Sequence, residues 1–268
     1  MLIRTVAAAF ALAIVLPLLV WGGVAGTAAL VAVASAICIH EFVGMALPSW
    51  RGWGHIAVGL PWLCIAVAGW TVGAIGALVT ASIAFVVLFG SIALRPGADL
   101  PVAVERLARV TLGLAWIGQL GWVIPIRNEA SGGAWLALAL VVPWCGDTGG
   151  YIAGRWLGRT PMHPAVSPKK TMEGAAGSIM SAAVGAEVVR WLWLSELPLG
   201  SGVLLGAMLA AVAIVGDLAE SMLKRAWGVK DTGAILPGHG GLLDRIDSVL
   251  FVAPWVYLVC TIAGEKHG

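Results

Sequence analysis

The chain has 268 residues, 60% of them hydrophobic and only 11% charged, where a soluble globular protein carries about 25% charged residues. So few charges cannot cover a water-facing surface, and with a mean hydropathy of +0.94 the composition excludes a soluble enzyme, a disordered chain and a nucleic-acid module. The reading is an all-α polytopic membrane protein.

The chain opens with MLIRTVAAAFALAIVLPLLV, the one-Arg, apolar, small-residue layout of a signal peptide. A second apolar span follows almost at once, which fits an uncleaved first helix better. Roughly 20 apolar residues cross a bilayer. Nine segments qualify as transmembrane helices: 5–21, 24–41, 56–71, 73–94, 107–125, 133–153, 175–194, 201–217 and 246–263. They form three consecutive groups: 1–94 with helices one to four, 95–174 with helices five and six and the Ser-Pro-Lys-Lys-Thr loop, and 175–268 with helices seven to nine. With the N-terminus in the cytoplasm, 13 of the 16 Lys and Arg fall on the cytoplasmic side, whereas the opposite orientation leaves 2 there; the positive-inside rule selects the first. The two longest polar segments, 154–174 and 217–245, then both face the cytoplasm.

Several residues read as structural. Cys38, Cys64, Cys145 and Cys260 are single residues on apolar stretches, so they are small packing residues, neither a disulfide framework nor a zinc site. Glu187 and Arg190 are three apart in helix seven and pair with each other or with a neighbouring helix. His40 and Glu41 end helix two at the interface, where anchoring and substrate contact are equally open.

The chemistry concentrates in the segment 216–248, GDLAESMLKRAWGVKDTGAILPGHGGLLDRIDS, which holds five of the 14 acidic residues. Asp217, Glu220, Ser221 and Lys224 lie at i, i+3, i+4 and i+7, so they share a face if helix eight continues past the membrane. Asp244, Asp247 and Ser248 repeat the i, i+3, i+4 spacing at the start of helix nine. Between them LPGHGG supplies the glycines and proline of a tight turn that allows close backbone approach to a ligand. Two carboxylate-bearing helix ends facing one another make a hard-cation site with oxygen ligands. Asp244 alone is also explained as a helix N-terminal acid favoured by the dipole, but the other four acids are not. Asp147, beside Gly146, Gly149 and Gly150 in helix six, is an ionisable residue in an apolar span and a functional candidate on that ground. Its alternative is bonding to freed backbone groups.

These residues carry a resemblance. The string from Ser221 to Asp247, S-M-L-K-R-x4-K-D-x-G-x2-L-P-x-H-G-G-L-x-D-R-I-D, resembles the signature of the phosphatidate cytidylyltransferases, also called CDP-diacylglycerol synthases. DTGGYIAGRWLGR from Asp147 and SPKKTMEG from Ser167 are similar to the family's DTGAY and SPKKTWEG motifs, departing at Gly150 and Met172. Over the first 140 residues the likeness is one of hydropathy, with Glu41 as a further point.

The resemblance implies transfer of a cytidylyl group from CTP to phosphatidate, giving CDP-diacylglycerol and pyrophosphate, with Mg²⁺ as cofactor and a second cation left open. It also implies a bacterial-type inner membrane, a site facing the cytoplasm, and a homodimer. Under it, Asp217 and Asp244 are the first metal-ligand candidates, and Asp247, Glu220 and Asp147 support that ion or hold a second. Lys224, Arg225 and Arg245 are phosphate-binding candidates at the reacting groups. Ser167, Lys169, Lys170, Thr171, Ser221, Lys230 and Asp231 are candidates for holding substrate, with membrane anchoring on anionic lipid as the plain alternative for Lys169 and Lys170. His239 either positions a phosphate, carries a proton or only shapes the turn. No protein nucleophile is needed, because the lipid phosphate is already ionised. Two other readings are a CTP-dependent lipid kinase, which the full 221–247 signature disfavours, and a cation-coupled transporter, which a charge cluster away from the midplane disfavours.

Overall fold

The structure, a computed structural model, describes Leu18 and residues 21–94, 99–129, 131–235 and 240–265. His239 and nearly all of the first predicted span, 5–21, lie outside these. The helices are α1 (Gly23–Ala46), α2 (Arg51–Val72), α3 (Ala74–Ala93), α4 (Leu100–Ile117), the short α5 (Val123–Asn128), α6 (Gly132–Leu157), α7 (Met172–Trp193), α8 (Ser201–Ala226) and α9 (Leu243–Glu265). Short 3₁₀ turns at Pro48–Trp50 and Gly118–Trp122 precede α2 and α5.

Seven helical stretches among the described residues are long and apolar enough to cross a membrane: Gly23–Ala46, Pro48–Val72, Ala74–Ala93, Leu100–Asn128, Gly132–Leu157, Ser201–Ala226 and Leu243–Gly264. The predicted span 175–194 is helical as α7, but its glycines, serines and the Glu187–Arg190 pair make it less apolar than these seven. That pair closes at 2.6 Å, and Arg190 also donates to the Leu197 carbonyl at 3.2 Å, which holds the α7–α8 turn. Among the described residues the two strands fall in the predicted loop before α7. There β1 (Pro161–His163) pairs antiparallel with β2 (Ser167–Thr171).

Two apolar clusters form the core. One joins Ile126 to α6, α7 and α8; the other joins α1, α2 and α4 around Phe42. Helix α9 belongs to both, with Leu243 and Leu250 in the second and Val252, Ala253 and Val256 in the first. α6 and α7 approach through small residues, as helices do where no aqueous hydrophobic force drives them together. A Cβ on Gly149 would lie 2.0 Å from Ser181 Oγ, and one on Gly177 would lie 2.3 Å from the Ala153 Cβ. Ser181 Oγ donates across the contact to the Cys145 carbonyl at 2.7 Å. By contrast α3 buries no residue, and most of its Ile, Leu, Val and Phe side chains, Ile75, Leu78, Val86 and Phe89 among them, face outward, as lipid-facing residues do.

Candidate active site

Four helix ends meet: the C-terminal parts of α6 and α8 and the starts of α7 and α9. α8 continues to Ala226, so Asp217, Glu220 and Lys224 do share one face. It stops because Gly228 takes φ +72, with Gly228 N–H bonding Arg225 O at 3.1 Å and Val229 N–H bonding Lys224 O at 2.9 Å. This is the Schellman ending that glycine allows.

Asp217 and Glu220 of α8 and Asp247 of α9 present carboxylate oxygens within 4.8 Å of one another. Glu220 is 1% exposed. Its Oε2 accepts from Lys224 Nζ at 2.8 Å, while its Oε1 is buried without a hydrogen-bond partner. Asp247 Oδ1 accepts from the Ser248 N–H at 2.6 Å. Lys170 of β2 brings its ammonium to 2.5 Å from Asp217 Oδ2, an ion pair lacking hydrogen-bond geometry.

Asp244 faces differently. Its Oδ1 accepts from Lys224 Nζ at 2.7 Å, and its Oδ2 accepts from the Thr232 N–H, the Thr232 hydroxyl and the Gly241 N–H at 2.9, 2.9 and 2.8 Å. The expected pairing of Asp217 with Asp244 is therefore replaced by a trio in which Asp247 joins Asp217 and Glu220. Asp244 is spent on the turn and on Lys224.

Beside the trio lies a cavity of about 350 Å³. Asp147, Ser167, Lys169, Lys170, Thr171, Ser178, Asp217 and Ser248 supply its polar wall; Val142, Pro143, Ala210, Ala213 and Ile214 supply an apolar one. The structure thus brings Asp147 and the Ser167–Thr171 motif to the carboxylates, although the two segments are far apart in sequence. Thr171 also caps α7, accepting from Gly174 N–H at 3.1 Å. Glu173 anchors the hairpin from below by accepting the Arg159 and Thr160 N–H groups at 3.0 and 3.2 Å. Those amide bonds hold its carboxyl well below the usual range, at about 2. Arg225 points away from the trio and donates to the Val166 and Val229 carbonyls at 3.5 and 3.3 Å, tying the hairpin to the segment after α8. Ser221 is half-buried, and Lys230, Asp231 and Arg245 are exposed; the Arg245 charge acts on Asp147.

The sequence reading passed over Thr232 in this network and left the role of Glu41 open. Thr232 is buried at 6% exposure and bonds Asp244 twice. Glu41, at 3%, reaches the start of α9 from α1. A carboxylate ending an otherwise apolar helix was the available signal.

Apolar helices packed around the buried Glu220, Asp247 and Lys224 define a polytopic membrane protein. The chain belongs to the cytidylyltransferase family, whose model matches residues 2–263. It is 33% identical over 249 residues to a phosphatidate cytidylyltransferase of Mycobacterium bovis, covering 86% of this chain and 79% of that protein. Phosphatidate cytidylyltransferases of Synechocystis and Bacillus subtilis are each 40% identical, over 56% and 59% of this chain. The chain spans 54% and 60% of the length of those two relatives.

Proposed function

We propose that this chain transfers the cytidylyl group of CTP to phosphatidate, releasing pyrophosphate and leaving CDP-diacylglycerol in the membrane. One observation carries the reading: Lys169 and Lys170 of the hairpin and the carboxylates Asp147 of α6 and Asp217 of α8 line a single cavity whose opposite wall is apolar. A phosphate on a lipid anchor and a nucleoside triphosphate both demand that combination. Family membership and the three relatives support the same reaction.

In this reading the phosphatidate phosphate attacks the α-phosphorus of CTP, and the bond from that phosphorus to the bridging oxygen of the leaving pyrophosphate breaks. Lys169 and Lys170 bind phosphate oxygens from β2, with the exposed Lys230 and Arg245 extending the basic rim around the triphosphate and Arg225 tying the hairpin to the segment after α8. Ser167, Thr171, Ser221 and Asp231 supply hydroxyl and carboxylate contacts at its edges. Lys224, held by Glu220 and Asp244, presents a fixed positive charge beside the reacting groups. The residues fit a hard divalent cation: three carboxylates converge, and Glu220 Oε1 is buried with no partner. Asp217, Asp247 and Glu220 are the ligands in this reading, Asp147 lies near enough to serve a second ion, and Asp244 acts through Lys224 and the turn. A Mg²⁺ ion held by these carboxylates would supply positive charge against that building on the α-phosphoryl group. The site faces the cytoplasm of a bacterial inner membrane, where CTP is made, and the assembly is a homodimer.

The test is direct. Protein purified in detergent, supplied with CTP, phosphatidate and Mg²⁺, should yield liponucleotide and pyrophosphate in equal amounts. It should lose that activity with a chelator and regain it on adding Mg²⁺. Formation of CDP with a newly phosphorylated lipid overturns the reading in favour of a lipid kinase.

A further inference from the structure

Glu41 sits in α1, some 200 residues before the turn it contacts. It is 3% exposed, and both carboxylate oxygens are used. Oε1 accepts the Leu242 N–H at 2.9 Å; Oε2 accepts the Leu243 N–H at 2.8 Å and lies 3.4 Å from the Thr232 hydroxyl. Leu242 and Leu243 open α9. Amides in a helix's first turn have no intrahelical carbonyl to bond, and a carboxylate at that end also favours the dipole. Capping by a side chain is ordinary; here the cap comes from another membrane helix.

The surrounding glycines are shaped to this carboxylate. A Cβ on Gly233 would lie 2.7 Å from Glu41 Oε1, and one on Gly241 would lie 2.6 Å from Oε2 and 2.2 Å from Thr232 Oγ1. Only glycine lets the backbone close around Glu41 at both places. Thr232, the Gly241 amide and the first turn of α9 are also the groups that hold Asp244, and Asp244 in turn holds Lys224. One turn further along α9 is Asp247 of the trio.

We infer that Glu41 is a positioning residue for the reaction: it clamps Thr232 and the Leu242–Leu243 amides at the start of α9 and so sets where Asp244, Lys224 and Asp247 stand. It touches none of the proposed substrate-binding groups. The inference extends the cytidylyl-transfer reading and rests on it for the kinetic consequence, while the clamp itself is a statement about two amides.

Hydrogen exchange and kinetics test the two parts separately. In the unsubstituted protein, the Leu242 and Leu243 amides should exchange slowly, despite lying where helix amides are ordinarily open. In Glu41→Gln, which offers one acceptor and turns an NH₂ toward an amide, they should exchange at least ~10-fold faster, with protection in α6–α8 kept. Turnover should fall at least ~10-fold, with the KM for CTP and for phosphatidate within about twofold, the split that separates positioning from binding. Glu41→Asp keeps the charge on a shorter stem and should recover part of the turnover; if Glu41→Gln does not fold, Glu41→Asp is measured against the native protein in its place. Fast exchange at Leu242 and Leu243 in the native protein overturns the clamp. So does a variant that loses activity only in proportion to a protein-wide loss of protection, or one whose KM values rise while turnover stands. An absence of cytidylyl transfer by the native protein, with the two amides protected, would instead overturn the reading of the function.

Discussion

The hairpin of α2 and α3 and the group α6–α8 are both built from membrane-length apolar sequence, yet they do opposite things with it. α3 buries nothing, and α2 buries only Gly54 and Val58. Several of their glycines, Gly52, Gly59 and Gly90 among them, meet no neighbouring atom within 4 Å of where a Cβ would stand. In α6–α8 most glycines, Gly149, Gly177 and Gly206 among them, are closed against other helices, and the buried surface carries Glu220 and Lys224. Hydropathy marks α2, α3, α6 and α8 alike as membrane-length spans and sets only α7 apart. What separates scaffold from site is where polar atoms are buried and which glycines are pressed shut, because in lipid a buried charge is retained only where neighbours compensate it.

That contrast is sharpest at the carboxylates. Asp217→Asn and Asp247→Asn keep size and remove a hard ligand, so pyrophosphate release should fall at least ~10²-fold for each, the scale of losing one group that stabilises the transition state. Ser82→Ala, on α3, should leave it within about twofold. Comparable losses in both regions would dissolve the distinction.

The hairpin lysine comes next. Lys170→Gln removes the charge paired with Asp217 at 2.5 Å, and should raise the KM for one anionic substrate about 10-fold while the protein still elutes as a single folded species in detergent. An unchanged KM for both substrates would return Lys170 to membrane anchoring.

Glycine substitutions set the two regions against each other in stability. Gly149→Ala forces a methyl onto Ser181 and should cost ~1–3 kcal/mol, as overpacking does. Gly90→Ala meets open space and should be neutral or gain up to ~1 kcal/mol from the lost chain entropy of glycine. Thermal unfolding in one detergent reads both, and equal effects would mean that α6 and α7 are not closely packed.

The smallest effect concerns the hairpin's anchor. The Glu173 carboxyl is lowered to about 2 by the Arg159 and Thr160 amides, so its contribution is fully present above the ordinary value of 4.5 and is lost as pH falls toward 2. Amides 159 and 160 should therefore keep their exchange protection at pH 5 and lose it progressively below about pH 4. Glu173→Gln should weaken that protection at neutral pH.

Much of this was legible in the sequence, and the reasons for the rest are local. The i, i+3, i+7 spacing correctly put Asp217, Glu220 and Lys224 on one face, since α8 does run on to Ala226. The sequence reading ranked Asp244 ahead of Asp247 as a partner for Asp217, and the structure brings Asp247 to it instead, because Asp244 accepts from Thr232 and Gly241 main-chain amides that spacing does not mark. The Ser167–Thr171 strand carries no alternation to read, because Pro168, Lys169 and Lys170 break the pattern and the hairpin is held from α7 by Glu173. Glu41 was visible only as a charge at a helix end. Its partners are main-chain amides, which no sequence pattern marks.

The measurement closest to the central claim follows the phosphorus. CTP labelled at either the α- or the γ-position is incubated with phosphatidate, Mg²⁺ and the purified protein, and the lipid and water phases are separated. The cavity reading predicts α-label in the lipid and γ-label in pyrophosphate, with both transfers lost together in Asp217→Asn. Label from the γ-position in the lipid, with CDP in the water phase, would contradict it.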